Sequence, residues 1–219
     1  MLALTRSSTR PLFILPFFVL LLTRLGIEAS VLLLPMRWAW LPSFGVYYAA
    51  IAASLWFTTR WLSVAIPPVG RLRPFPSGRL LLWGVALPAL LPLGVFVLNV
   101  RAVPLPTLLG IGLFAAINPF FEDAFWRGLL AHLPLPRWAV VVVSAALFSF
   151  SHYALWGAYW LSNPAVLTAT CATTFVMGLC WMRLYQRDGR LIYPILSHVL
   201  VDVFNLSIAV FMGLRLVTV

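Results

Sequence analysis

Apolar runs of about twenty residues, separated by short polar punctuation, recur from one end of the chain to the other. Runs of that length suit helices that cross a bilayer and are too long for buried strands. The pattern predicts an all-α, polytopic transmembrane bundle of about seven spans. They are residues 11–34, Trp38–Phe57, Leu80–Val100, Leu105–Leu133, Trp138–Tyr153, Pro164–Leu184 and Leu191–Leu214. The short alternating segments of a porin-like barrel do not occur. With no long polar linker, residues 1–219 read as one integral-membrane domain, with its core at about 105–214.

The punctuation refines this outline. A polar start followed by an apolar run resembles a secretory leader, but Arg24 interrupts the run and no small-residue cleavage site follows. Residues 11–34 therefore read as a span, with Arg24 and Glu28 paired at four-residue spacing. Residues 60–79 form a basic, proline-rich loop expected at the membrane surface, giving an eighth span if part of it re-enters. Pro88 and Pro92 fall inside the third span, which is read as unbroken because neighbouring helices can satisfy freed backbone groups. Pro119 is expected to kink the fourth. The uncharged aromatic stretch LWGAYWLSN, residues 155–163, is expected to be an interfacial loop.

Composition supports the membrane reading: 63% of residues are hydrophobic, 9% are charged, and mean hydropathy is +1.00. The net charge of +10 rests on fifteen arginines and no lysine. So basic a soluble protein would suggest nucleic acid, but these arginines fall between apolar runs and set topology instead. With the N-terminus inside, ten lie on inner segments against Arg37, Arg101 and Arg215 outside. The expectation is N-in, C-out, in a cell membrane, with a bacterial inner membrane as the setting. The partners expected are the lipid bilayer and a membrane protein or peptide, with no nucleic acid; the oligomeric state is open. Cys171 and Cys180 are nine residues apart, on opposite faces of one helix, and imply neither a disulfide nor a cysteine metal site.

Chemistry concentrates in three stretches. NPFFEDAFWRG, residues 118–128, carries two of the chain's five acidic residues inside an apolar run. A charge at that depth costs roughly 2.5–3.5 kcal/mol on insertion scales and marks function. Asp123 and Arg127 share a helix face and can pair. Glu122 points about 100° away without that partner, and Asn118 lies one turn from it. FSFSH, residues 148–152, sets Phe148 and His152 on one face. HVLVD, residues 198–202, does the same for His198 and Asp202, with Asn205 a turn further along. Counted at 1.5 Å per residue, Glu122, His152, His198 and Asp202 lie about 16, 21, 10 and 16 Å from the inner ends of their spans. Acid and imidazole from three spans thus arrive in one layer.

These stretches, in order, resemble the signature of the CAAX-protease and bacteriocin-processing family: E-E-x-x-x-R, then F-x-x-x-H, then H-x-x-x-N or D. The resemblance covers residues 118–205. It implies hydrolysis of a peptide bond in a cavity within the membrane. Glu122 matches the catalytic glutamate, which with His152 activates a water, and His198 and Asp202 match the oxyanion-stabilising pair. Asp123 and Arg127 match the second acid and the arginine, a structural brace, with Phe148 packing behind the site. Two positions depart from the commoner pattern. Position 123 is Asp, one methylene shorter than Glu. Position 202 is Asp, which accepts hydrogen bonds when ionised instead of donating an amide hydrogen. Either Asp202 is protonated, or it orients His198; Asn205 is a candidate for the missing amide.

Without the family, the chemistry still reads as amide hydrolysis: a base for water, a donor for the oxyanion, an acid for the leaving amine. Ser151 and Ser197 adjoin histidines in sequence but point away from them on a helix. No cofactor is expected, and zinc on the Glu, His and Asp side chains is the alternative, although the pattern is not H-E-x-x-H. Two other functions would use the same groups: a proton-coupled transporter or channel, and a non-catalytic membrane scaffold.

Overall fold

The computed structural model describes residues 6–65, 69–70, 78–161, 163–214 and 216, with side chains from residue 10 onward. Every regular element among them is helical. In chain order these are α1 (Arg10–Leu33), α2 (Met36–Trp61), α3 (Gly78–Ala102), α4 (Leu105–His132), α5 (Arg137–Trp160), α6 (Pro164–Asp188), α7 (Ile192–Phe204) and α8 (Ser207–Phe211). Five of them, α1, α3, α4, α5 and α6, are long and apolar enough to cross a membrane. The chain is therefore an all-α, multi-pass membrane bundle. Proline and glycine set its corners. Pro35, Pro104 and Pro136 stand at helix starts, where a missing N–H costs nothing. Gly189 ends α6 at φ 72°, a backbone conformation other residues rarely adopt.

Three expectations are corrected. The third span is not continuous: α3 passes through a turn at Leu91 and Pro92 before resuming at Leu93. Pro92 has no N–H to donate to the helical ladder, which is interrupted at that turn. The stretch 155–163 is not an interfacial loop, because α5 runs on to Trp160. Trp156 is buried and stacks on Phe44 of α2, ring centres 4.0 Å apart. Uncharged aromatic sequence suits a packed helix as well as an interface, and here packing wins. The last span breaks after Phe204, where Leu206 takes a left-handed backbone (φ 53°). The fourth span keeps α geometry through Pro119 and departs from it only at Ala124. Of the 60–79 loop, Val64 is buried and the Val69 carbonyl accepts from the Ile192 N–H at 3.0 Å, so that part is tucked onto the bundle. The rest of the loop in which a re-entrant segment was suggested, residues 66–68 and 71–77, lies outside the described residues.

Three π-helical segments interrupt the α geometry: Leu82–Ala86 in α3, Ala124–Leu129 in α4 and His152–Gly157 in α5. A π-bulge shifts the hydrogen-bond ladder and leaves a carbonyl available, a change that recurs at functional sites. In each segment a side chain from another helix takes a carbonyl. Ser197 donates to Val85 O at 3.0 Å, Ser144 to Trp126 O at 2.5 Å, and Arg24 Nη1 to Ala154 O at 3.0 Å. A buried carbonyl without a donor would be costly in lipid. Two of the segments begin beside the chemistry-bearing residues, one directly after Asp123 and one at His152. Arg24 also pairs with Glu28 at 2.9 Å, as its spacing implies, and Tyr159 of α5 donates to the same carboxylate.

Close approach holds α5 and α6 together. A Cβ added at Gly178 would lie 2.9 Å from the Ala145 Cα, one turn before Phe148. Small residues at such crossings let membrane helices pack backbone to backbone. Gly178→Ala is expected to destabilise the protein by about 1–3 kcal/mol through overpacking. A lower unfolding midpoint of the detergent-purified protein would show it. Gly112→Ala is the control, since its Cβ meets open space and should leave the midpoint unchanged.

Candidate active site

Three helices deliver the polar side chains to one place. α4 supplies Asn118, Glu122, Asp123 and Arg127, α5 supplies Phe148 and His152, and α7 supplies His198 and Asp202. All are buried except His152, which is partly exposed to a cavity of about 510 Å³. Asn118, Glu122, Phe148, His152, His198, Asp202 and Asn205 line that cavity, while Asp123 and Arg127 lie behind it. The remaining wall is mostly apolar and reaches the α3 break at Leu91 and Pro92 and the start of α6 at Ala165.

His198 is the hub. Its Nε2 lies 3.4 Å from Glu122 Oε2 and 3.7 Å from Asp202 Oδ1. Its Nδ1 lies 3.2 Å from Asp123 Oδ2. Both ring nitrogens thus face carboxylate oxygens, with a hydrogen bond between Nδ1 and Asp123 Oδ2. Trp181 of α6 stacks on the ring at 4.5 Å and donates its own N–H to Ser197 at 2.9 Å. The imidazole is therefore fixed in plane and in rotation.

Asp123 and Arg127 do more than brace their own helix. Arg127 Nε sits 3.2 Å from Asp123 Oδ1, with both side chains fully buried. Its guanidinium packs on the rings of Phe148 (4.0 Å) and Trp181 (4.7 Å). Among the described residues, no oxygen accepts from its two terminal nitrogens, so aromatic faces take that place. The result is a chain from Arg127 through Asp123 to His198.

A second layer comes from α2, and the motif reading missed it. Tyr47 OH donates to Glu122 Oε1 at 2.8 Å and accepts from Trp126 Nε1 at 2.9 Å. Tyr48 OH donates to Asn118 Oδ1 at 3.1 Å, and Asn118 Nδ2 donates to Asp202 Oδ2 at 3.0 Å. One signal was available. Tyr47 and Tyr48 sit mid-span, where a tyrosine hydroxyl needs a partner, while the other tyrosines lie near span ends.

The amide that reaches Asp202 is thus that of Asn118. Asn205 lines the cavity, but its Oδ1 accepts from the Ser207 N–H at 2.8 Å, across the break before α8. His152 shares the cavity with Glu122, with no hydrogen bond between them among the described residues. Its Nδ1 lies 2.9 Å from the Phe148 carbonyl, which fixes Nδ1 as the donor and leaves Nε2 as the acceptor of the neutral ring. Phe148 touches both imidazoles edge-to-face, at 4.5 Å for His152 and 6.1 Å for His198. Ser151 donates to Phe148 O and Ser197 to Val85 O, and Ser197 serves the backbone. Ser151 does not point away from its histidine as helical spacing suggested: its Oγ also lies 3.5 Å from His152 Nδ1, drawn there by the shared Phe148 carbonyl. Among the described residues, no group of three His, Cys, Asp or Glu side chains is arranged to hold a metal ion.

Fold and site together define a class: a multi-pass helical membrane protein with acid and imidazole groups converging on a cavity inside the bundle. Residues 104–204 match the family model described as Type II CAAX prenyl endopeptidase Rce1-like, so this part of the chain is similar to that family. The match begins at α4 and ends with α7, and so takes in all three polar stretches. No curated protein and no solved structure matches the chain.

Proposed function

We propose that the protein is an intramembrane endopeptidase in which Glu122 activates a water molecule. The observation that carries this reading is the division of labour at Glu122. Tyr47 holds Oε1, while Oε2, 3.4 Å from His198 Nε2 and without a hydrogen bond among the described residues, belongs to the cavity that also holds His152 and His198. A water between Glu122 Oε2 and His152 Nε2 would give a proton to the carboxylate as its oxygen attacks the peptide carbonyl carbon. The carbonyl oxygen, now negative, would accept from His198 Nε2–H, held in place through Asp123 and Arg127. The proton on Glu122 then passes to the leaving nitrogen, the C–N bond breaks, and a carboxylate and an amine remain. Asp202, held by Asn118, orients His198 from the cavity side. This scheme needs no metal.

The family points to a substrate presented from the membrane, and the apolar wall of the cavity suits a membrane-embedded or lipid-anchored segment. Maturation of a membrane-associated peptide or removal of a sorting tag fits best. Protein reconstituted in lipid vesicles, given a lipid-anchored peptide, should release two products that mass spectrometry assigns to one cleaved bond. No new terminus, together with uptake driven by a proton gradient, would favour the transporter reading instead.

Two further outcomes are expected. Tyr47→Phe keeps the ring but frees Glu122 Oε1, and loss of a hydrogen bond to a charged group corresponds to about tenfold or more in kcat. Steady-state cleavage rates would show this, with KM little changed because Tyr47 does not line the cavity. The arginine distribution supports seven spans with the N-terminus inside. A reporter placed at residue 189 should therefore report the inner side, and one at residue 163 the outer side.

A further inference from the structure

A second groove, of about 390 Å³, lies between the start of α3 and the end of α6, away from the catalytic cavity. The two helices meet where Gly84 has no side chain, and a Cβ there would come within 2.8 Å of Leu184. Arg79, Arg183 and Arg187 line the groove, all exposed. Arg183 and Arg187 share one face of α6 by four-residue spacing, and Arg79 and Trp83 share one face of α3. Trp83 is 59% exposed, an aromatic at the end of a span, as expected at a lipid interface.

No acidic side chain among the described residues is left to balance these three charges. The chain has five acidic residues. Glu122, Asp123 and Asp202 are in the catalytic cluster, and Glu28 is paired with Arg24. Asp188, nearest in sequence, is taken by Arg190 Nε at 2.6 Å. The described acidic side chains therefore leave the groove open to an anion from outside the chain. Deeper in, the groove turns apolar along Trp83, Leu179 and Cys180. Cys180 lies seven residues before Arg187, about 10 Å along the helix axis. Charge at the mouth and apolar surface about 10 Å inward matches one lipid molecule, phosphate outward and acyl chain inward. A free phosphate would leave the apolar half unused.

We propose that this groove binds an anionic phospholipid, with Arg79, Arg183 and Arg187 holding its phosphate and the Trp83–Cys180 wall holding an acyl chain. Guanidinium groups suit phosphate through parallel hydrogen bonds, and basic pockets between membrane helices are recurrent headgroup sites.

The test uses the full chain purified in neutral detergent and titrated separately with phosphatidylglycerol, phosphatidylcholine and inorganic phosphate. Native mass spectrometry reads bound lipid, and thermal unfolding reads the effect on stability. The expected result is saturable binding of phosphatidylglycerol with a raised unfolding midpoint, and at least tenfold weaker binding of phosphatidylcholine. Inorganic phosphate should give no shift. The double variant Arg183→Gln, Arg187→Gln should lose at least tenfold in phosphatidylglycerol affinity. Arg37→Gln, an exposed arginine at the opposite end of the bundle, should bind as the unaltered protein does. Equal binding of phosphatidylcholine, a shift produced by phosphate alone, or undiminished binding by the double variant would each overturn the proposal.

Discussion

Glu122→Gln is expected to lower peptide cleavage by about a hundredfold to ten-thousandfold, the range that a positioned general base contributes. The substitution preserves shape. The amide oxygen can still accept from Tyr47, now held at 2.8 Å from Glu122 Oε1. What it removes is the carboxylate that takes a proton from water in the proposed reaction. Stability should not fall with activity, because three carboxylates crowd around His198 and removing one charge relieves their repulsion. A variant that unfolds at the same temperature yet does not cleave separates chemistry from structure. Undiminished cleavage would mean that Glu122 is a structural acid.

Arg127→Met should have the largest effect on stability. Taking away one member of a fully buried ion pair leaves the other uncompensated, at a cost of about 3–5 kcal/mol. Here the residue left is Asp123, itself at 0% exposure, with Oδ1 stripped of its cation and only Oδ2 still facing His198. The double variant Asp123→Asn, Arg127→Met removes both charges, and replacing a buried pair in this way is often close to neutral. Much of the lost stability should therefore return. Activity should not, because Asp123 Oδ2 is the oxygen that fixes His198 through Nδ1. Unfolding midpoints and cleavage rates measured on the single and double variants distinguish the two roles. Recovery of both together would reduce Asp123 to a helix brace.

Much of the site was legible in the sequence because charge is so scarce in it. Five acids in 219 residues make the pair Glu122–Asp123 conspicuous, and helical spacing places Asp202 with His198 and Arg127 with Asp123. A register count along antiparallel spans brought Glu122, His152, His198 and Asp202 to one layer; all four line one cavity, where Glu122 and Asp202 lie 3.4 and 3.7 Å from His198. What spacing does not encode is which faces turn toward one another. It therefore paired Asp123 only with Arg127 on its own helix and not with His198 across the bundle. Tyr47 was invisible to the motif because its role depends on α2 packing against α4. The π-helical segments were equally hidden. Their carbonyls are satisfied by Ser144, Ser197 and Arg24 from other helices, a tertiary exchange with no local sequence mark. The aromatic stretch 155–163 misled for a related reason, since tryptophan and tyrosine serve a lipid interface and a packed wall alike.

The most direct test of the central claim is cleavage of a lipid-anchored peptide in heavy-oxygen water, by the unaltered protein and by Glu122→Gln, each before and after treatment with a metal chelator. The account predicts that the unaltered protein forms one new carboxyl terminus carrying a single heavy oxygen, at the same rate with and without chelator, and that Glu122→Gln forms none. Labelled product from Glu122→Gln at the unaltered rate, or activity that disappears with the chelator and returns with zinc, would contradict it.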